Sequence, residues 1–117
     1  MKYMLLVYLD ENALSETERD ACYVKSAGLA QQIKAKGQYI TASPLHPTSM
    51  ATSVRLRGGR RMVTDGPFAE TREQLGGFYL IDAENLDDAI SIAEKVPSVD
   101  VGTIEIRPVL EIDGLPE

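Results

Sequence analysis

The residues of this 117-residue chain best suited to chemistry crowd into one stretch, Arg61 to Ile81, which reads RMVTDGPFAETREQLGGFYLI. Its Asp65-Gly66-Pro67-Phe68 bend joins a carboxylate to two residues of special backbone geometry. Glycine reaches dihedral angles closed to other residues and proline fixes the next bend, so the turn can hold Asp65 in one orientation. A carboxylate held that way can orient a ligand or accept a proton. It can equally serve the turn alone, accepting local backbone hydrogen bonds while Phe68 anchors the loop in apolar surroundings. Glu70, Thr71, Arg72, Glu73 and Gln74 follow, a set able to recognise a small polar compound and equally at home in an exposed turn. Arg72 is the anion-orienting candidate, because its guanidinium can make two parallel hydrogen bonds. Arg61 either joins it or pairs with a sheet-edge carboxylate.

His46, the sole histidine, stands between Leu45 and Pro47. With Asp65 fixing one ring nitrogen it would shuttle protons near neutral pH; otherwise it is an accessible loop residue. The catalytic candidates are therefore Asp65 as base and His46 as acid. The ligand-binding candidates are Asp65, Arg72, Thr71, Glu70, Arg61 and Tyr79. The hydroxyl of Tyr79, like those of Tyr3 and Tyr8, can face a pocket even where its ring packs in the core.

No cofactor or metal is expected. Cys22 is the only cysteine, no HExxH pattern occurs, and Gly58-Gly59 lacks the longer pattern of a phosphate-cradling loop. Eighteen acidic against twelve basic residues give a formal charge of -6, which weighs against attraction to nucleic-acid phosphates. The apolar run Tyr3 to Leu9 is closed by Asp10 and Glu11, well short of a secretion signal or membrane span. A cytoplasmic protein of one domain is the expectation.

The elements that must position these groups follow from hydrophobic spacing. Lys2 to Tyr8 is apolar at nearly every position and reads as a strand buried on both faces. Ser15 and Glu18 have capping-box spacing, predicting a helix to about Lys36, with Cys22, Leu29, Ala30 and Ile33 on its apolar side and Gly37 ending it. Gln38 to Thr41 reads as a strand. Thr52 to Arg57 and Arg60 to Thr64 flank the Gly58-Gly59 turn as a hairpin, in a register that buries Val54 against Val63. Gly76-Gly77 introduces the strand Phe78 to Asp82. Asn85 caps a helix whose stripe is Leu86, Ala89, Ile90, Ala93 and Val96, closed by Pro97. Thr103 to Val109 is the last strand, followed by an acidic tail, Glu111 to Glu117.

Two strand-helix-strand halves predict a ferredoxin-like α+β fold with an additional hairpin. Two helices cover one sheet face, so the other needs a partner. The expected partner is a second copy, the two sheets packing face to face.

The chain also resembles the YCII-related family, in particular its group bearing the DGPF motif. The matching segments are KYMLLVY at Lys2 to Tyr8, Leu45 and Pro47, ATSVR at Ala51 to Arg55, VTDGPFAETREQLGGFYLID at Val63 to Asp82, and EIRPV at Glu105 to Val109. The resemblance implies a dimeric α+β barrel with a pocket near the DGPF loop, and a genetic setting near extracytoplasmic-function sigma factors, hence an indirect regulatory association. A histidine and aspartate pair has been proposed for the broader family, with the histidine on the first helix. Lys25, Ser26 and Ala27 occupy that region here, so the pair does not transfer whole. The leading expectation is a dimeric protein that binds a small polar metabolite. The alternatives are a cofactor-independent acid-base enzyme using Asp65, and a structural or protein-interaction module.

Overall fold

The first apolar run forms strand β1 (Lys2–Leu9), which lies between two antiparallel neighbours inside a four-stranded sheet. Its side chains alternate between faces: Tyr3 and Leu5 are buried, whereas Met4, Leu6 and Tyr8 on the other side are half-buried. The computed structural model describes residues 1–116, and Glu117, the end of the acidic tail, lies outside the described residues.

Helix α1 (Glu16–Ala35) starts where the capping spacing places it. Ser15 Oγ accepts from the Glu18 amide at 3.1 Å and Glu18 Oε1 accepts from the Ser15 amide at 3.0 Å. Gly37, at φ 73°, turns the chain after the helix. Ser15→Ala is expected to lower stability by about 1 kcal/mol, read as a reduced urea midpoint with an unchanged slope.

Strand β2 (Tyr39–Pro44) runs past its expected end at Thr41. It occupies a sheet edge, where proline is tolerated because one row of backbone groups needs no ladder partner. The strand β5 (Gln74–Asp82) likewise starts four residues before Phe78. Gly76 and Gly77 thus sit inside a strand and do not precede it. Gly77 is opposite both Val7 and Pro44, and a Cβ there would come within 3.1 Å of the Ser43 carbonyl oxygen. The missing side chain lets the edge strand approach.

Helix α2 (Leu86–Ala93) is capped by Asn85, whose side chain accepts from the Asp88 amide at 2.9 Å. It stops before Val96. The amides of Lys95 and Val96 bond three residues back, to Ile92 and Ala93, and Pro97 disfavours helical backbone at the residue before it. The buried stripe is Ala89, Ile92, Ala93 and Val96. Leu86 and Ile90, expected on that stripe, are 51% and 38% exposed. Strand β6 (Thr103–Pro108) completes an antiparallel sheet in the order β2-β5-β1-β6, compatible with a ferredoxin-like arrangement.

Both helices cover the same sheet face. Leu29 and Ile33 of α1 and the α2 stripe share one core with Tyr3, Leu5, Tyr79 and Ile81. The opposite face carries Met4, Leu6, Phe78 and Leu80 side by side, since Leu6 pairs with Phe78 and Met4 with Leu80. No helix among the described residues is long and apolar enough to cross a membrane.

Strands β3 (Thr52–Arg57) and β4 (Arg60–Asp65) form a separate two-stranded sheet. Gly58 and Gly59 have φ of 56° and 77°, the positive pair required by a two-residue hairpin turn whose twist suits the strands. Val54 does pair with Val63, but at 65% and 49% exposure neither is buried, because the hairpin stands away from the helix-covered core. The radius of gyration, 16.0 Å, exceeds the roughly 13 Å of a compact chain this long.

Candidate functional site

A cavity of about 410 Å³ lies between α1 and the sheet. Its origin is a shortage of side-chain volume on both walls. The helix contributes Cys22, Ser26, Ala27 and Ala30, at spacings of four, one and three residues, so they share one face. Facing them, the sheet contributes Ala42, Gly76 and Gly77. Small groups opposite small groups leave space that a core of leucines would fill.

The inner end is made by Tyr79, Val96 and Ser98, which are 5%, 2% and 7% exposed. The Tyr79 hydroxyl is buried there without a hydrogen-bond partner. Burial pushes its pKa above the ordinary 10.0, and Ser26 offsets part of that rise without meeting hydrogen-bond geometry. Tyr79 is therefore a neutral donor throughout the neutral pH range. An unsatisfied buried hydroxyl costs about 1–3 kcal/mol.

The outer end is bordered by Glu11, Leu14, Arg19, Leu45 and Pro47. Glu11 ties two loops together, its oxygens accepting from the Thr48 amide at 2.8 Å and the Thr48 hydroxyl at 2.5 Å. Arg19 donates to the Glu11 carbonyl oxygen at 3.1 Å. These contacts fix the position of the short 3-10 turn Thr48–Met50, and with it the preceding Leu45 to Pro47 segment.

Of the residues singled out in the sequence, Tyr79 lines this cavity, whereas Asp65, Glu70, Thr71, Arg72, Arg61 and His46 do not. Asp65 ends β4 and is exposed, and its carboxylate engages no hydrogen bond or ion pair among the described residues. The bend after it is braced by backbone: the Gly66 amide donates to Ala51 at 2.7 Å, and Ser53 Oγ donates to the Gly66 carbonyl at 2.8 Å. Gly66 has φ 102°, which steers the following residues outward. Phe68 is consequently 79% exposed and does not anchor the loop in apolar surroundings within the chain.

Arg72 is 93% exposed and reaches Asp10 only at 3.8 Å. Thr71 Oγ1 donates to the Glu73 carbonyl at 2.7 Å, and Gln74 Nε2 donates to the Thr71 carbonyl, so both serve the turn. Glu70 and Arg61 are exposed. His46 is exposed between two residues that border the cavity, and shares no hydrogen bond with Asp65.

The groups overlooked in the sequence are those of α1. Arg19, Cys22, Tyr23, Ser26, Ala27 and Ala30 lie at i, i+3, i+4, i+7, i+8 and i+11, a helical face too small and too polar to fill a core. That mismatch is the available signal. Ser26 and Ala27, in the region where the family resemblance would put a histidine, are on this wall.

The YCII-related domain family matches residues 1–113. An uncharacterised protein of Rhizobium meliloti (strain 1021) is 37% identical over 113 aligned residues, covering 92% of this chain and 91% of the relative. A match over that length spans every strand and both helices described above, and the chain accordingly belongs to the YCII-related family.

Proposed function

We propose that this protein is a homodimer that binds a small, partly polar metabolite in the cavity beneath α1. The observation that carries the binding reading is the unpartnered Tyr79 hydroxyl at the buried end of that cavity. Cavities left by chance in cores are apolar and few, whereas pockets for ligands combine apolar walls with a small number of aimed polar groups. Tyr79, Ser26 and Arg19 are such groups, beside Glu11, Gln31 and Ser43, on walls that also carry Val7, Leu9 and Ala30.

What supports the dimer is the uncovered sheet face. Met4, Leu6, Phe78 and Leu80 form an apolar block bordered by the Glu105 and Arg107 pair, whose charged atoms lie 3.9 Å apart. A second copy of the same face would cover it symmetrically. Leu6→Lys tests this without unfolding the chain, because the new ammonium lies opposite Glu105 and gains a cross-strand partner. Wild type is expected at twice the 12.8 kDa chain mass by light scattering at micromolar concentration, and Leu6→Lys at the single mass. A wild-type monomer would refute the assembly.

Asp65 enters this reading only through the dimer, since it does not border the cavity of its own chain. Metabolite profiling with purified protein, scoring both retained and converted compounds, tests the function. A compound retained unchanged and lost on Tyr79→Phe supports binding. Conversion that stops in Asp65→Asn while the dimer persists would replace the binding reading with acid-base catalysis.

A further inference from the structure

Resting on the cavity as a binding site, the geometry points to its ligand class: we infer that it takes a monocarboxylate with an apolar middle and a hydrogen-bond acceptor at the far end. A group with unused hydrogen-bonding capacity stands at each end. At the inner end stands the Tyr79 hydroxyl, buried and without a partner. At the outer end the half-buried Arg19 uses one bond, to a backbone carbonyl, and takes part in no ion pair among the described residues. A guanidinium has five donors and a fork that fits a carboxylate.

Position adds to this. Arg19 is the fourth residue of α1, following the capped first turn that carries Glu16 and Glu18. Ser26, the residue that modulates Tyr79, is seven residues along, about 10.5 Å on the helix axis. The walls between are mostly apolar, with Val7, Cys22, Ala27 and Ala30, and also carry Gln31 and Ser43. A ligand filling the cavity therefore presents its anion and its acceptor roughly two helical turns apart.

Glu11 sets the charge of that ligand. Its carboxylate also borders the outer end, already engaged with Thr48, so the outer end holds one cation and one anion. One added negative charge is accommodated by Arg19, whereas a dianionic phosphate would face Glu11 with a charge left over.

The probe is para-acetylphenylbutanoate, compared with its primary amide, in which the charge is gone, and with its phosphonate counterpart. Binding is measured by calorimetry to wild type, Arg19→Met and Arg19→Lys. Wild type is expected to prefer the acid over the amide by about ten- to hundred-fold, the range of a charge-assisted bond. Arg19→Met should erase that preference, with the acid losing more affinity than the amide, and Arg19→Lys should keep part of it. Equal binding of acid and amide to wild type overturns the carboxylate assignment and leaves the cavity reading standing. Tighter binding of the phosphonate overturns the monoanion assignment, and persistence of the preference in Arg19→Met overturns the role of Arg19. Failure of all three compounds to bind at millimolar concentration overturns both this inference and the cavity reading.

Discussion

Gly102→Ala is expected to destabilise the chain by about 3 kcal/mol or more, enough to remove a large share of the stability of a domain this size. A Cβ at that position would lie 2.2 Å from the Tyr8 carbonyl oxygen and 3.3 Å from that of Ser98. Both obstacles are backbone. The Gly102 amide also donates to Ser98 at 2.8 Å, and the residue leads directly into β6, so the connection from α2 has no room to swing away. Relief requires β6 to part from β1 near the Tyr8 and Thr103 pair. Urea unfolding followed by far-UV circular dichroism gives the number. A loss below 1 kcal/mol would mean that the chain between α2 and β6 relaxes freely.

Ala30→Phe carries the largest expected effect on binding. Ala30 is on the cavity wall, and a phenyl ring built from α1 would occupy volume that a ligand needs. Binding of para-acetylphenylbutanoate should fall by at least about a hundred-fold, while stability stays level or rises because the ring fills existing space. Calorimetry and urea unfolding of the same variant separate the two effects. Undiminished binding would place the ligand elsewhere.

The fold was legible where one local rule had no competitor. The Ser15 and Glu18 spacing, the Asn85 cap and the paired glycines at 58 and 59 each act over three or four residues, and each forms the feature its chemistry dictates. Errors arose where distant residues decide. Gly76 and Gly77 look like the residues that introduce a strand until Val7 and Pro44 are opposite Gly77, and only then does the lack of a side chain there become a packing requirement. The end of α2 depended on Pro97 acting backward on the preceding turn.

The site was less legible than the fold. The densest polar stretch, Glu70 to Gln74, spends groups on its own turn and on the start of β6: Thr71 on the Glu73 carbonyl, and Glu73 on the Thr103 hydroxyl at 2.8 Å. The cavity instead arises from small residues on α1 and the sheet, and absence of volume has no motif. Tyr79 was within reach because an aromatic ring with a polar tip in a buried strand must place that tip somewhere.

The central claim is that the void beneath α1 is a ligand site whose polar end is held ready by Tyr79. Equilibrium urea unfolding of wild type and Tyr79→Phe, each with and without millimolar para-acetylphenylbutanoate, tests it most directly. In the empty proteins the phenylalanine variant is expected to be about 1 kcal/mol more stable, because it removes a buried hydroxyl that has no partner. With the probe present, wild type should gain stability through linkage and Tyr79→Phe should gain clearly less. A variant less stable than wild type when empty, together with equal stabilisation of both by the probe, would contradict the account.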